Sequence, residues 1–553
     1  MTTPFEISDR LTESYADLSP SLATTYGIPG RDHLWDDLTP EGEAKRAELR
    51  SAVRAELAPH LDHPDPVQAR AARILVGSLD ASNRRYGHGH WKRDINHIYS
   101  PFQRARDAFD VVSKDGADAW DNLTMRLSNW GEMLDGYRSS LQVGLDEGTT
   151  AARRQVLSVI DQVRSLAGAE SRFAEFPAMA ASRGGDGARV DDAVELARAS
   201  SADFADWLET VYLPRADPAD AVGVERYLEG SEFFLGMDLD PDETYEWGWS
   251  EVHRLLGEMK VTAAEIDPDR SIEQVIEVLE TDPARSAPDH QAFARFVEGI
   301  QAQAVAQLDG SAFDVPAEIR EVTVNIAPPG GSLGAWYHAP SEDFSRPGSI
   351  WYAPGGRTRI PYWQEVSTAY HEGFPGHHLQ VGFAVLQREK LSRFHRIFIW
   401  YSGAGEGWAL YAERLMDELG YFENPEYRLG LLASQLFRST RVVVDIGLHL
   451  EKRIPSDAPL HAGEPWDYAR AVDYMEKIAL QPRDVSESEV LRYLGWPGQA
   501  ISYKVGEREI LDMRRQAMGK AVGGFDSKEF HRRLLEAGAI RLDQLRETMT
   551  GAA

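Results

Sequence analysis

Cysteine is absent from all 553 residues, which excludes disulfides, thiolate metal sites, iron–sulfur clusters and thiol nucleophiles. Any metal must be held by His, Asp and Glu. Basic residues are scarce too: 59 Lys and Arg stand against 88 Asp and Glu, a formal charge of −29. So acidic a chain lacks the positive footprint that binding to a phosphate backbone requires, and nucleic acid is not an expected partner. No window approaches the roughly 18 consecutive apolar residues of a membrane span. The opening MTTPFEISDRLTESYADLSP has no basic stretch leading into an apolar one, so it does not read as a secretory signal. A cytoplasmic location without a membrane partner is the expectation.

What is present is ordinary for a folded protein. Apolar residues make up 42% and charged residues 27%, enough to build a large core and to exclude disorder over most of the chain. Residues 1–315 read as a helical N-terminal region. ARAARILVGSLDASNRR and ARRQVLSVIDQVRSLAG repeat apolar residues at three- and four-residue spacing. DNLTMRLSNWGEMLDGYRSSLQVGLDEG stops on a glycine, and PDETYEWGWSEVHRLLGEMK opens acidic and ends basic, as the helix dipole favours. SRGGDGARVDD (182–192) reads as a loop by its glycines. Between 319 and 356 the texture changes. IREVTVNIAP alternates with the strand period, PPGGSLG is turn chemistry, and AWYHAP and SEDFSRPGSIWYAPGG supply two more short segments. After 361 the pattern is helical again. The fold class is therefore mainly α, with a small antiparallel sheet opening a second region, 316–553, that is expected to be continuous with the first.

The chemistry is concentrated just after that sheet, in STAYHEGFPGHHLQVGFAVLQ (367–387). A zinc-peptidase helix normally reads His-Glu-x-x-His, which sets two imidazoles one turn apart with a Glu beside the metal-bound water. Here His371 and Glu372 are present, but the fifth position is Pro375. On an unbroken helix His377 would lie about 240° round from His371, and His378 about 10.5 Å along the axis. Pro375 cannot donate to the carbonyl of His371, and its ring clashes there, so the helix must kink or widen. A two-residue expansion would carry His377 to the usual second-ligand position, with His378 as its understudy. The plain alternative is a hydrogen-bonded His pair at a kink.

Twenty-nine residues beyond His377 comes Glu406, in SGAGEGWALYAERLMDELG, flanked by Gly405 and Gly407. A carboxylate from a downstream helix is a suitable third ligand that leaves a fourth position to water. In SQLFRSTRVVVDIGLHLEK, residues Arg438, Arg441, Asp445 and His449 fall within a stripe about 80° wide on a helix. An Arg there suits a substrate carboxylate, and His449 suits a developing oxyanion. In YLGWPGQAISYKVGEREI, Tyr503 is a second oxyanion donor and Lys504 a further carboxylate receptor.

HEGFPGHH together with GEGWALY, RSTRVVVDIGLH and PGQAISYKVG resembles the bacterial family catalogued as domain of unknown function 885. That family in turn resembles thermostable, Taq-type zinc carboxypeptidases. The resemblance implies a large helical metallopeptidase-like fold with a deep groove. It implies one Zn²⁺ per chain held by His371, His377 and Glu406, with Glu372 as catalytic base. The expected activity is hydrolysis of short peptides by a carboxypeptidase or dipeptidase. Tyr503 or His449 would steady the oxyanion, Arg438, Arg441 or Lys504 would receive a terminal carboxylate, and an edge strand at Tyr352 would pair with the peptide. A homodimer is a further expectation. Two other readings remain open: a metal-dependent hydrolase of a non-peptide amide or ester, and a helical binding protein with a decayed motif.

Overall fold

The computed structural model describes residues 2–327, 334–521 and 524–551. By compactness the chain forms two units, one of residues 1–222, 392–397 and 491–496, the other of 223–391, 398–490 and 497–553. Residues 223–315 thus belong with the sheet-bearing segment that follows them.

The first unit is built of helices. The periodic segments fold as read, into Pro66–Gly87 and Arg153–Ala167. Residues 121–148 form the second part of one helix, Ala117–Ser128, and a further helix, Trp130–Glu147, closed by Gly148 in the left-handed region. The loop expected over 182–192 is shorter than read. Helix Gly187–Trp207 begins inside it, because the Asp186 carboxylate accepts from the N–H groups of Ala188 and Arg189 and caps the first turn. An aromatic core holds the unit together: Phe109 and Phe173 meet edge to face at 5.0 Å, and Trp130 meets Phe173 at 5.9 Å.

Among the described residues the second unit carries five short strands: β1 (Ser286–Ala287), β2 (Thr323–Ile326), β3 (Gly334–His338), β4 (Ser349–Ala353) and β5 (Ile360–Pro361). The pairs β1–β5 and β3–β4 are antiparallel, whereas β2 pairs with β4 in parallel, giving the order β2-β4-β3. The turn chemistry read at PPGGSLG falls mostly on residues 328–333, outside the described residues. Seven helices frame the site: α1 (Pro241–Ile266), α2 (His290–Leu308), α3 (Tyr362–Glu372), α4 (His377–Leu386), α5 (Ser402–Glu418), α6 (Pro425–His449) and α7 (Ser502–Lys520). The α6 helix is buried on nearly every side from Leu429 to His449, so its polar stripe, apart from half-buried Arg438, faces other elements and not water. Helices α5 and α7 cross with their backbones in contact. A Cβ on Gly506 would lie 1.9 Å from the Gly403 carbonyl, and one on Gly407 would lie 2.5 Å from Gly506. Only glycine permits that approach. No helix among the described residues is long and apolar enough to cross a membrane.

Candidate metal centre

Where the sequence shows a kink, the backbone breaks. Helix α3 ends at Glu372, α4 starts at His377, and residues 373–376 link them through a cis Phe374–Pro375 bond. The link is braced from two sides. On one, Gln301 of α2 accepts from the Phe374 N–H at 2.5 Å and donates to the Ala369 carbonyl at 2.8 Å. On the other, Trp408 Nε1 of α5 donates to the Pro375 carbonyl at 3.0 Å. A Cβ on Gly376 would fall 1.9 Å from the His371 carbonyl, so no side chain fits there.

The break re-aims His377. Its ring centroid lies 4.9 Å from that of His371, at 85° to it. Each Nε2 is 3.4 Å from Oε2 of Glu406, and one ligand atom from each of the three residues lies within 4.8 Å of the other two. Tetrahedral coordination with bonds of about 2.0–2.1 Å separates neighbouring ligand atoms by about 3.4 Å. Two imidazoles and one carboxylate at this spacing fit a zinc ion and leave a fourth position for water.

Glu413, one of the residues that the sequence reading missed, holds His371 in place. Its Oε1 lies 2.7 Å from His371 Nδ1, and its other oxygen accepts from the hydroxyls of Ser367 at 2.5 Å and Ser434 at 3.3 Å. A carboxylate behind a ligating imidazole fixes the tautomer and leaves Nε2 as the ligand atom. The signal was available, since Glu413 follows Glu406 by seven residues on one helix face. His377 has no equivalent: among the described residues its buried Nδ1 meets no hydrogen-bond partner, and the ring packs on Trp400 at 5.6 Å.

The electrostatics agree with a cation at this point. Burial works against a charged His371, but hydrogen bonds with Glu406 and Glu413 outweigh it and raise the imidazole to about 9. Glu372, the next residue and also buried, adds to that pull. Burial likewise opposes ionisation of Glu406, and hydrogen bonds from His371 and His377 overcome it, holding the carboxyl far below its usual range. His378 is not an understudy. Its Nε2 lies 2.9 Å from the Ile319 carbonyl and its Nδ1 3.1 Å from the Tyr337 hydroxyl, and burial lowers it to about 4.

Of the other expected residues, Tyr503 stacks on His371 at 6.4 Å and 20°. Arg441 lies between the rings of Phe437, at 4.0 Å, and Tyr503, at 4.7 Å, and donates to Glu489 at 2.9 Å, so its charge is already matched. Lys504 does not await a substrate carboxylate: it is buried, donates to Gln435, and its charge is matched by Glu507 and Glu251. Arg438 is half-buried and donates to Ser434. His449 is 0% exposed, packed with Tyr227 and Asp445, and presents no surface to a substrate. Tyr352 is corrected. It lies in β4, the central strand, where it is buried and meets Phe293 edge to face at 4.8 Å, so the outer strands of the sheet are β2 and β3.

The profile of a family described as "Bacterial protein of unknown function (DUF885)" matches residues 20–549. No curated protein matches the chain. A structure described as "the putative lipoprotein from Colwellia psychrerythraea" is similar at 22% identity and a TM-score of 0.84, covering 99% of this chain and 98% of its own. Another, "a putative lipoprotein of unknown function from Shewanella oneidensis", is similar at 17% identity and a TM-score of 0.72, with 100% of each chain covered. At these identities the likeness is one of fold.

Proposed function

We propose, starting from a chain that belongs to the bacterial family DUF885, that it is a zinc-dependent hydrolase of peptide bonds, a carboxypeptidase or dipeptidase of short peptides. The observation that carries the reading is the convergence of His371, His377 and Glu406, with the Glu372 carboxylate on the next residue. A zinc ion held by His371, His377 and Glu406 would supply Lewis acidity and lower the pKa of a bound water toward about 7. Glu372 takes the proton of the attacking water and delivers it to the leaving nitrogen. Glu413 keeps His371 aimed. Tyr503 is the oxyanion donor of choice, since His449 is enclosed, and Arg441 steadies the tyrosine ring. Arg438 is the best placed of the three cations to meet a substrate carboxylate, because Lys504 and Arg441 are already paired. The Taq-type resemblance of the motifs supports the same reading. The two similar structures are described as lipoproteins, which sets an extracytoplasmic location against a cytoplasmic one, and cell fractionation decides between them.

The test separates metal from base. Glu372→Gln should hold about one zinc per chain and lose hydrolysis by at least about 10²-fold, the lower end of a general base's contribution. Turnover retained in that variant rules out Glu372 as the base. His371→Ala and Glu406→Ala should each lower the zinc content measured by atomic absorption. A full equivalent in both rules out the ligand set.

A further inference from the structure

Of the 14 tryptophans, Trp400 is the one among the described residues that is exposed beyond a third, at 42%. It does not project loosely into solvent. The N–H of the next residue, Tyr401, donates to the Ala539 carbonyl at 2.9 Å, which anchors the backbone beside it. The indole lies on the first turn of α5, where a Cβ on Gly405 would sit 2.2 Å from its Cζ2. Its other neighbour is His377, with ring centroids 5.6 Å apart. Trp400 is therefore seated against both elements that bring ligands to the metal centre, next to His377 on one side and next to the residue that precedes Glu406 on the other.

A rigid indole with open surface beside a reacting centre is built to cover an apolar group. It offers a large contact area, loses little conformational freedom on binding, and is stabilised when water leaves its face. A cation could also sit over an indole. Here the carboxylates of Glu372, Glu406 and Glu413 offset the charge of a divalent ion, so electrostatics does not select between the two, and the large apolar face of the indole does. The apolar occupant is favoured.

We infer that Trp400 is the apolar wall of the substrate site, so that the enzyme selects peptides with a large aliphatic or aromatic side chain beside the scissile bond. The inference rests on the peptidase reading above and goes further by naming the class of peptide.

Homotripeptides test it whichever end is cleaved, because the same side chain flanks either bond. The zinc-loaded protein should cleave trileucine and trityrosine with kcat/KM at least about tenfold above trialanine, the discrimination an apolar pocket can supply. Trp400→Ala should bring that ratio within about threefold while zinc stays near one per chain, and Trp400→Phe, which keeps a ring, should retain most of it. A second readout needs no turnover. By isothermal titration calorimetry, trileucine should bind zinc-loaded Glu372→Gln about tenfold more weakly once Trp400→Ala is added. An unchanged ratio in Trp400→Ala, or a wild type that prefers trialanine or trilysine, overturns the inference alone. Cleavage of none of the four peptides by zinc-loaded protein overturns the peptidase reading and this inference with it.

Discussion

Glu413 shows how much one carboxylate does at the residue scale. It is fully buried, a costly position for a charge, and it is retained against His371, Ser367 and Ser434. Three hydrogen-bonding partners offset the desolvation and lock the imidazole with Nε2 toward Glu406. Partners of this kind typically contribute 10–100-fold to metal affinity. Glu413→Gln should therefore weaken zinc binding by about that factor in a chelator competition while the circular dichroism spectrum stays that of the wild type. Undiminished affinity would show that packing alone orients His371.

At the element scale the decisive feature is the break between α3 and α4. Unbroken, the helix would carry His377 to the wrong side. Broken at Gly373–Gly376 and braced by Gln301 and Trp408, it sets the two rings 4.9 Å apart. Gly376→Ala would drive a methyl into the His371 carbonyl, with no flexible side chain to give way. The expected cost is about 3 kcal/mol, the upper range for overpacking, visible as a lower denaturation midpoint together with reduced zinc content. Wild-type values for both would mean that the link can relax. Gly506→Ala at the α5–α7 crossing should be equally disruptive. Because α5 carries Glu406 and α7 carries Tyr503, parting them should lower zinc content as well, which metal analysis of the purified variant checks.

For the whole molecule, pH sets the balance. In metal-free protein the folded-state pKa of His371, about 9, lies above its ordinary value of about 6.5, so its contribution to stability is full below about 6.5 and is lost as pH climbs through about 9. Glu406 acts in the opposite sense: its carboxyl is depressed, and its contribution is present above about 4.5 and lost as pH falls through the lower folded value. The melting temperature of metal-free protein should fall steadily from pH 6.5 to 9, and the slope should flatten with zinc, which replaces the His371 proton. A flat metal-free profile would refute the coupling. The sequence alone determined the helical character, through apolar periodicity, and narrowed the candidate cluster to His371, Glu406 and one of His377 and His378. It could not decide the β2–β4 parallel pairing, the choice of His377 over His378, or the diversion of Lys504 to Glu507 and Glu251. Each of those depends on which group stands opposite in space. Periodicity reports one element at a time, whereas a hydrogen-bond partner or a neutralising charge comes from another, and only the packed chain brings the two together.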